Sequence, residues 1–161
     1  MAYSGVYKPK NSRKYDGDKR ITYRSLWERG LMVWCDDNAE VKRWSSEQVV
    51  IPYISPVDNR AHRYYMDFKI EFTNGNILLV EVKPAYQTIA PDRAKHKRSS
   101  KFLTEAKTFA VNDAKWIAAE RYAKKRGWTF VIFTEHTLTD LGINIVNNPK
   151  QKRSKKKTLS K

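Results

Sequence analysis

The sequence predicts an α/β sandwich, a small mixed sheet with helices packed on its faces. Three observations carry this. Between Tyr65 and Pro84, two runs of period-two alternation meet at Asn74-Gly75, a pair suited to a tight hairpin turn. Apolar stripes of helical period lie before the hairpin, from Tyr23 to Cys35, and after it, from Ala114 to Arg126. Trp128 to Thr134 is a near-continuous apolar run, the pattern of a strand covered on both faces. With a further strand between Val41 and Tyr53, the order is helix, strand, strand, strand, helix, strand.

Residues 1–20 are polar and basic and predict an extended arm. Its Tyr3, Tyr7 and Tyr15 either lie against sugars and bases or dock the arm on the domain. In the first helix, Tyr23, Leu26, Trp27, Gly30, Leu31 and Trp34 form the stripe, with Thr22 as N-cap and Asp36-Asp37-Asn38 as the stop. Gly30 costs about 1 kcal/mol relative to alanine there, and close packing against a strand would justify it. Trp44, Val49, Val50 and Ile51 mark the next strand, and Pro52 and Pro56 push its end toward a sheet edge or a loop.

In the hairpin, Tyr64, Met66, Phe68, Ile70 and Phe72 alternate with Tyr65, Asp67, Lys69 and Glu71. On the returning strand, Ile77, Leu79, Glu81 and Lys83 share one face. Residues 85–100 read as a basic loop containing Arg93, Lys95, Lys97 and Arg98, suited to phosphate contacts. A first short helical piece, Phe102 to Val111, precedes a helix capped by Asp113 and stopped by Gly127. Leu138 to Ile145 reads as a short amphipathic turn. Residues 147–161 predict a disordered tail, with seven Lys and Arg and no acid from Lys150 to Lys161. The division is therefore a basic arm (1–20), one folded domain (21–146) and a basic tail (147–161).

Charge is the loudest global feature. There are 32 Lys and Arg against 17 Asp and Glu, a net charge of +15. Such a field captures polyanions, and nucleic acid is the leading partner. No apolar run approaches the roughly 20 residues of a membrane span. The single Cys35 has no intramolecular disulfide partner, which points to a reducing, cytoplasmic site of synthesis and a small buried apolar role.

The chemistry concentrates in the hairpin. Asp67 and Glu81 offer the oxygen ligands that Mg²⁺ or Mn²⁺ prefers, and the backbone carbonyl of Val82 offers another. Lys83, on the face of Glu81, could orient or deprotonate a water held by the cation, or offset charge building on a phosphate. Taken alone, Glu-x-Lys on a strand is more often an exposed charge pair. The preceding Asp67, the basic charge and a helix able to bring Glu28 alongside favour a site. Glu28 also has a plain alternative as a surface partner of Arg24. Glu47, Gln87 and Lys115 are weaker additions, Lys115 as a contact to DNA.

At these residues the sequence resembles a known family. Asp67 followed by Glu81-Val82-Lys83, after a helix carrying Glu28, looks like the PD-(D/E)xK nuclease superfamily, whose core is α-β-β-β-α-β. The stretches Tyr-Arg-Ser-Leu-Trp-Glu (23–28), Trp-Ser-Ser-Glu (44–47), His-Arg-Tyr-Tyr-Met-Asp-Phe (62–68) and Glu-Val-Lys-Pro (81–84) are most similar to the head completion nucleases of tailed phages. Those are similar in turn to the transposon end-cleaving endonuclease subunit of heteromeric transposases. Met66 departs from the pattern, which often has proline there.

The resemblance implies a restriction-endonuclease-like fold and a Mg²⁺- or Mn²⁺-dependent DNA endonuclease acting in phage head completion, where it would process or hold the end of packaged DNA before tail attachment. Asp67, Glu81 and Glu28 would be metal ligands and Lys83 the catalytic lysine. It implies double-stranded DNA as substrate, phage head or neck proteins as partners, and action in the host cytoplasm during assembly or in the virion. The alternative is a non-catalytic DNA-end-binding protein of the head–tail junction. The complete set Glu28, Asp67, Glu81 and Lys83 favours the enzyme.

Overall fold

The computed structural model describes residues 3–92 and 99–145. Its centre is a four-stranded mixed sheet of β3 (Val41–Ser46), β6 (Phe68–Phe72), β7 (Ile77–Val82) and β8 (Thr129–Phe133), in the order β3-β6-β7-β8. The first three strands are antiparallel neighbours, and β8 runs parallel to β7. Helix α1 (Leu26–Asp37) precedes the sheet, and helix α2 (Ser100–Lys125) makes the crossover that a parallel β7–β8 pair requires. The order α1-β3-β6-β7-α2-β8 is the expected α-β-β-β-α-β core. Inserted between β3 and β6 is a separate hairpin, β4 (Val50–Ile54) with β5 (Ala61–Tyr65). A short N-terminal ribbon pairs β1 (Gly5–Tyr7) with β2 (Ile21–Tyr23), and α3 (Glu135–Asp140) follows β8.

Two apolar layers sandwich the sheet. Phe68, Ile70 and Val80 pack with Trp27, Leu31 and Met32 of α1, and Leu138 of α3 joins them. On the opposite side, Leu79 packs with Ala119 and Ala123 of α2 and with Ile51, Tyr64 and Met66. Strand β7 feeds both layers because its side chains alternate, Leu78, Val80 and Val82 to the first and Leu79 to the second, whereas β3 and β6 give apolar side chains to the first layer. On β8, Val131 and Phe133 pack on the first layer and Phe130 on the second, where Trp128 just before the strand joins it, so the strand is covered on both faces as its composition predicts.

Several elements differ from the sequence expectation. Helix α1 starts at Leu26, not Tyr23. Ser25 is its N-cap and accepts the Glu28 N–H at 3.1 Å, and Ser-x-x-Glu outcompetes Thr22 as a start signal. Residues 21–23 are free to become a strand instead. The N-terminal segment is not an extended arm. The Tyr7 hydroxyl and the Lys10 and Asn11 N–H groups all donate to the buried Asp36 carboxylate, at 2.9, 2.6 and 3.0 Å. Tyr15 meets Trp44 edge-on at 4.8 Å. Tyr7 and Tyr15 therefore dock, while Tyr3 stays exposed.

The single strand expected between Val41 and Tyr53 is two, divided at Glu47, whose φ of 56° lies in the left-handed region. The first strand of the central hairpin is likewise two, broken at Met66-Asp67 where the chain leaves the β4–β5 ribbon for the central sheet. The break reverses the alternation. Tyr64 and Met66 lie on the α2 side and Phe68 and Ile70 on the α1 side, although the sequence pattern puts all four on one face. The turn uses a positive φ at Gly75 alone, 91°, within a loop closed by Phe72 N–H to Asn76 O at 2.8 Å. Helix α2 is continuous from Ser100 under a Ser99 cap, with Asp113 inside it, because no Gly or Pro interrupts residues 100–125. Gly30 meets Ile143, whose Cγ2 would stand 2.5 Å from a Cβ at that position, so the close approach is real, though to the chain after α3.

Candidate active site

The site is built where β6 and β7 emerge beside α1 and α2. The β6–β7 register ends at Phe68↔Val80, and one further step brings Asp67 beside Glu81. The Val82 N–H donates to Asp67 Oδ2 at 2.8 Å, locking the carboxylate to the neighbouring strand. The expected proline position is held by Met66, whose N–H donates to Val49 O at 2.9 Å, a bond that proline could not make.

Glu81 is buried, and Lys83 Nζ lies 3.8 Å from its Oε1. Its other oxygen accepts the indole N–H of Trp116, from the middle of α2. The buried Tyr64 hydroxyl faces the same carboxylate, and burial together with the Glu81 and Asp67 charges raises its pKa. Lys115 is half-buried. Its Nζ lies 5.4 Å from the Tyr64 ring centre and 5.8 Å from that of Tyr53, and its charge helps keep Glu81 ionised.

Glu28 sits in the first turn of α1, tethered by Arg24 N–H to its Oε2 at 3.1 Å. The Arg24 guanidinium reaches instead to Glu47, an ion pair across 23 residues that replaces the expected Arg24–Glu28 surface pair. Glu47 in turn donates its N–H toward the carbonyls of Met66 and Asp67, at 3.1 and 3.3 Å. The left-handed residue thus braces the strand break that carries Asp67.

These acids feel one another. Burial, and then the Glu28 and Glu81 charges, push the Asp67 carboxyl up to about 8, against the Val82 hydrogen bond and Lys83. Burial raises Glu28, with the Arg24 N–H opposing and Glu47 adding to the rise. Glu81 is raised by burial, opposed by Lys83, Trp116, Tyr64 and Lys115. The structure therefore brings Asp67, Glu81, Lys83 and Glu28 into one electrostatic cluster. Among the described residues, no three His, Cys, Asp or Glu side chains stand close enough together to hold a metal ion by themselves. The donors available are all hard oxygens, the kind Mg²⁺ and Mn²⁺ take, and Mg²⁺ needs only one or two carboxylates beside water and phosphate oxygens. The residue set fits such a cation.

Sequence reasoning missed Trp116 and Tyr64 as parts of the site. Both sit in apolar patterns, and the available signal was chemical: a buried indole N–H or phenol needs a polar partner. Gln87 turns away and donates to the Tyr86 hydroxyl at 2.8 Å. Arg93, Lys95, Lys97 and Arg98 lie outside the described residues, as does the tail at 147–161.

The family model for the TnsA-like endonuclease N-terminal domain matches residues 38–135, which span β3 to the start of α3. The head completion nuclease of Enterobacteria phage T4 is 42% identical over 146 residues, covering 88% of this chain and 97% of that protein.

Proposed function

Because the chain belongs to the TnsA-like endonuclease family, we propose that it is a nuclease acting in phage head completion, a divalent-cation-dependent DNA endonuclease that processes the end of packaged DNA before tail attachment. The observation that carries the chemistry is the convergence of Asp67, Glu81 and Lys83 at one end of β6 and β7, with Glu28 near enough for its charge to raise Asp67 and with burial raising all three acids. Asp67, Glu81, Glu28 and the Val82 carbonyl would hold Mg²⁺ or Mn²⁺. Bound there, the cation supplies Lewis-acid stabilisation of charge on the scissile phosphate.

The chain's own residues do the rest. The Lys83 ammonium, held 3.8 Å from Glu81, orients the attacking water and offsets negative charge as phosphorus gains one oxygen and loses the leaving one. Trp116 and the Val82 N–H hold the Glu81 and Asp67 carboxylates, so little reorganisation is needed when the phosphate arrives. Lys115 opens onto a groove of about 490 Å³ that Tyr53, His62, Lys107 and Asn112 also line, a path suited to a phosphate backbone. Head or neck proteins of the virion are the expected partners.

Linear or plasmid DNA incubated with the protein and Mg²⁺ or Mn²⁺ is expected to be cut. Asp67→Ala and Lys83→Ala should abolish cutting while sparing DNA binding. Equal nicking by these variants would overturn the site assignment. Tight binding without any cutting by the wild-type protein would instead favour a structural role at the DNA end.

A further inference from the structure

We propose that Tyr86 is a stacking platform for an unpaired base, so that the nuclease site prefers DNA with single-stranded nucleotides beside the scissile phosphate, as at an overhanging end, over continuous duplex. This rests on the nuclease reading above and deepens it.

Tyr86 and Ile89 are the two most exposed large apolar side chains among the described residues, at 71% and 69%. They sit on the short 3-10 turn Ala85–Thr88 and the residue after it, directly downstream of Glu81-Val82-Lys83. Tyr86 is three positions after Lys83, so the two Cα atoms are no more than about 11 Å apart. At roughly 3.4 Å per nucleotide, that is within about three steps of the phosphate at Lys83.

The platform is held in place. The Ala85 N–H donates to both carboxylate oxygens of Glu135, at 3.0 and 3.4 Å. Gln87 N–H donates to Pro84 O at 3.0 Å, and the Thr88 hydroxyl to Ala85 O at 2.6 Å. The Tyr86 hydroxyl already accepts the Gln87 side-chain amide at 2.8 Å. The ring face stays open to a ligand, and Ile89 is a second exposed apolar side chain three positions on. In a continuous duplex the base faces are covered by adjacent bases, and the groove edges are polar apart from the thymine methyl. A full π-face for the ring is open only where a base is unstacked. Base–aromatic stacking tolerates any sequence because every base has a π-face, and the +15 charge draws DNA of any sequence to it.

The test compares binding of a fluorescein-labelled blunt duplex with that of the same duplex carrying a four-nucleotide single-stranded overhang, read by anisotropy in EDTA to prevent turnover. The wild-type protein should prefer the overhang. Tyr86→Ala should lower the overhang-to-duplex affinity ratio about tenfold, and Tyr86→Trp should restore it. A ratio that Tyr86→Ala leaves unchanged would overturn the proposal and leave the exposed pair as a surface for protein. Equal loss of both affinities without rescue by Trp would also overturn it, as a fold effect. Because the readout needs no cleavage, a protein that never cuts DNA but retains the Tyr86-dependent ratio would refute the nuclease reading alone.

Discussion

Asp67→Asn tests the electrostatics of the site through stability. The amide keeps an acceptor for the Val82 N–H and removes the charge. Without divalent cations, the wild-type carboxyl titrates at about 8 in the folded protein. In the unfolded chain it titrates near ~3.9. The folded value is the raised one, so the folded state binds this proton more tightly. The contribution to stability is complete below about pH 4 and is lost as pH rises toward 8. One pH unit is worth ~1.4 kcal/mol, and roughly three units separate the unfolded value from pH 7, which gives an upper bound of about 4 kcal/mol. The amide does not titrate, so relative to wild type the variant should gain stability steadily between pH 4 and 8. Urea unfolding in EDTA across that range measures the difference. Adding Mg²⁺ should then raise the midpoint of the wild-type protein more than that of the variant, because a ligand stabilises only the state that binds it. Parallel stability curves for the two proteins, with equal response to Mg²⁺, would refute the argument that Asp67 is buried beside other acids.

Trp116→Phe keeps the apolar packing and deletes the N–H that holds Glu81. Cutting should fall by about 10- to 100-fold with a higher Mg²⁺ requirement, as for other groups that orient a metal ligand, and a Mg²⁺ titration of the cleavage rate checks it. Asp36→Ala strands the Tyr7 hydroxyl and two backbone N–H groups at once and should cost on the order of 3–5 kcal/mol in urea unfolding; a loss under ~1 kcal/mol would mean the N-terminal segment adds little. Gly30→Ala must move Ile143, so despite better helix propensity it should destabilise by about 1–3 kcal/mol, measured as a lower urea midpoint.

Sequence alone determined the helix–strand order of the core, the Asp67, Glu81 and Lys83 set, and the polyanion-seeking charge. These properties are local or global: period, spacing and composition are written along the chain. Three features were decided only by tertiary structure. One is where a strand leaves one sheet for another. Tyr64 and Phe68 share a parity in sequence yet face opposite layers, because the break at Met66-Asp67 depends on a hydrogen bond donated by the Glu47 N–H and one accepted by the Val49 carbonyl, far along the chain. Another is the fate of the N-terminal segment, polar in composition yet bound by a buried Asp36 that looked like the end of a helix. The last is the surround of the acids. That Trp116 and Tyr64 serve Glu81, and that Arg24 reaches Glu47 past Glu28, follows from α2 and α1 closing on opposite sides of one sheet. Side chains distant in sequence meet only after the two apolar layers have packed, and no spacing rule encodes that meeting.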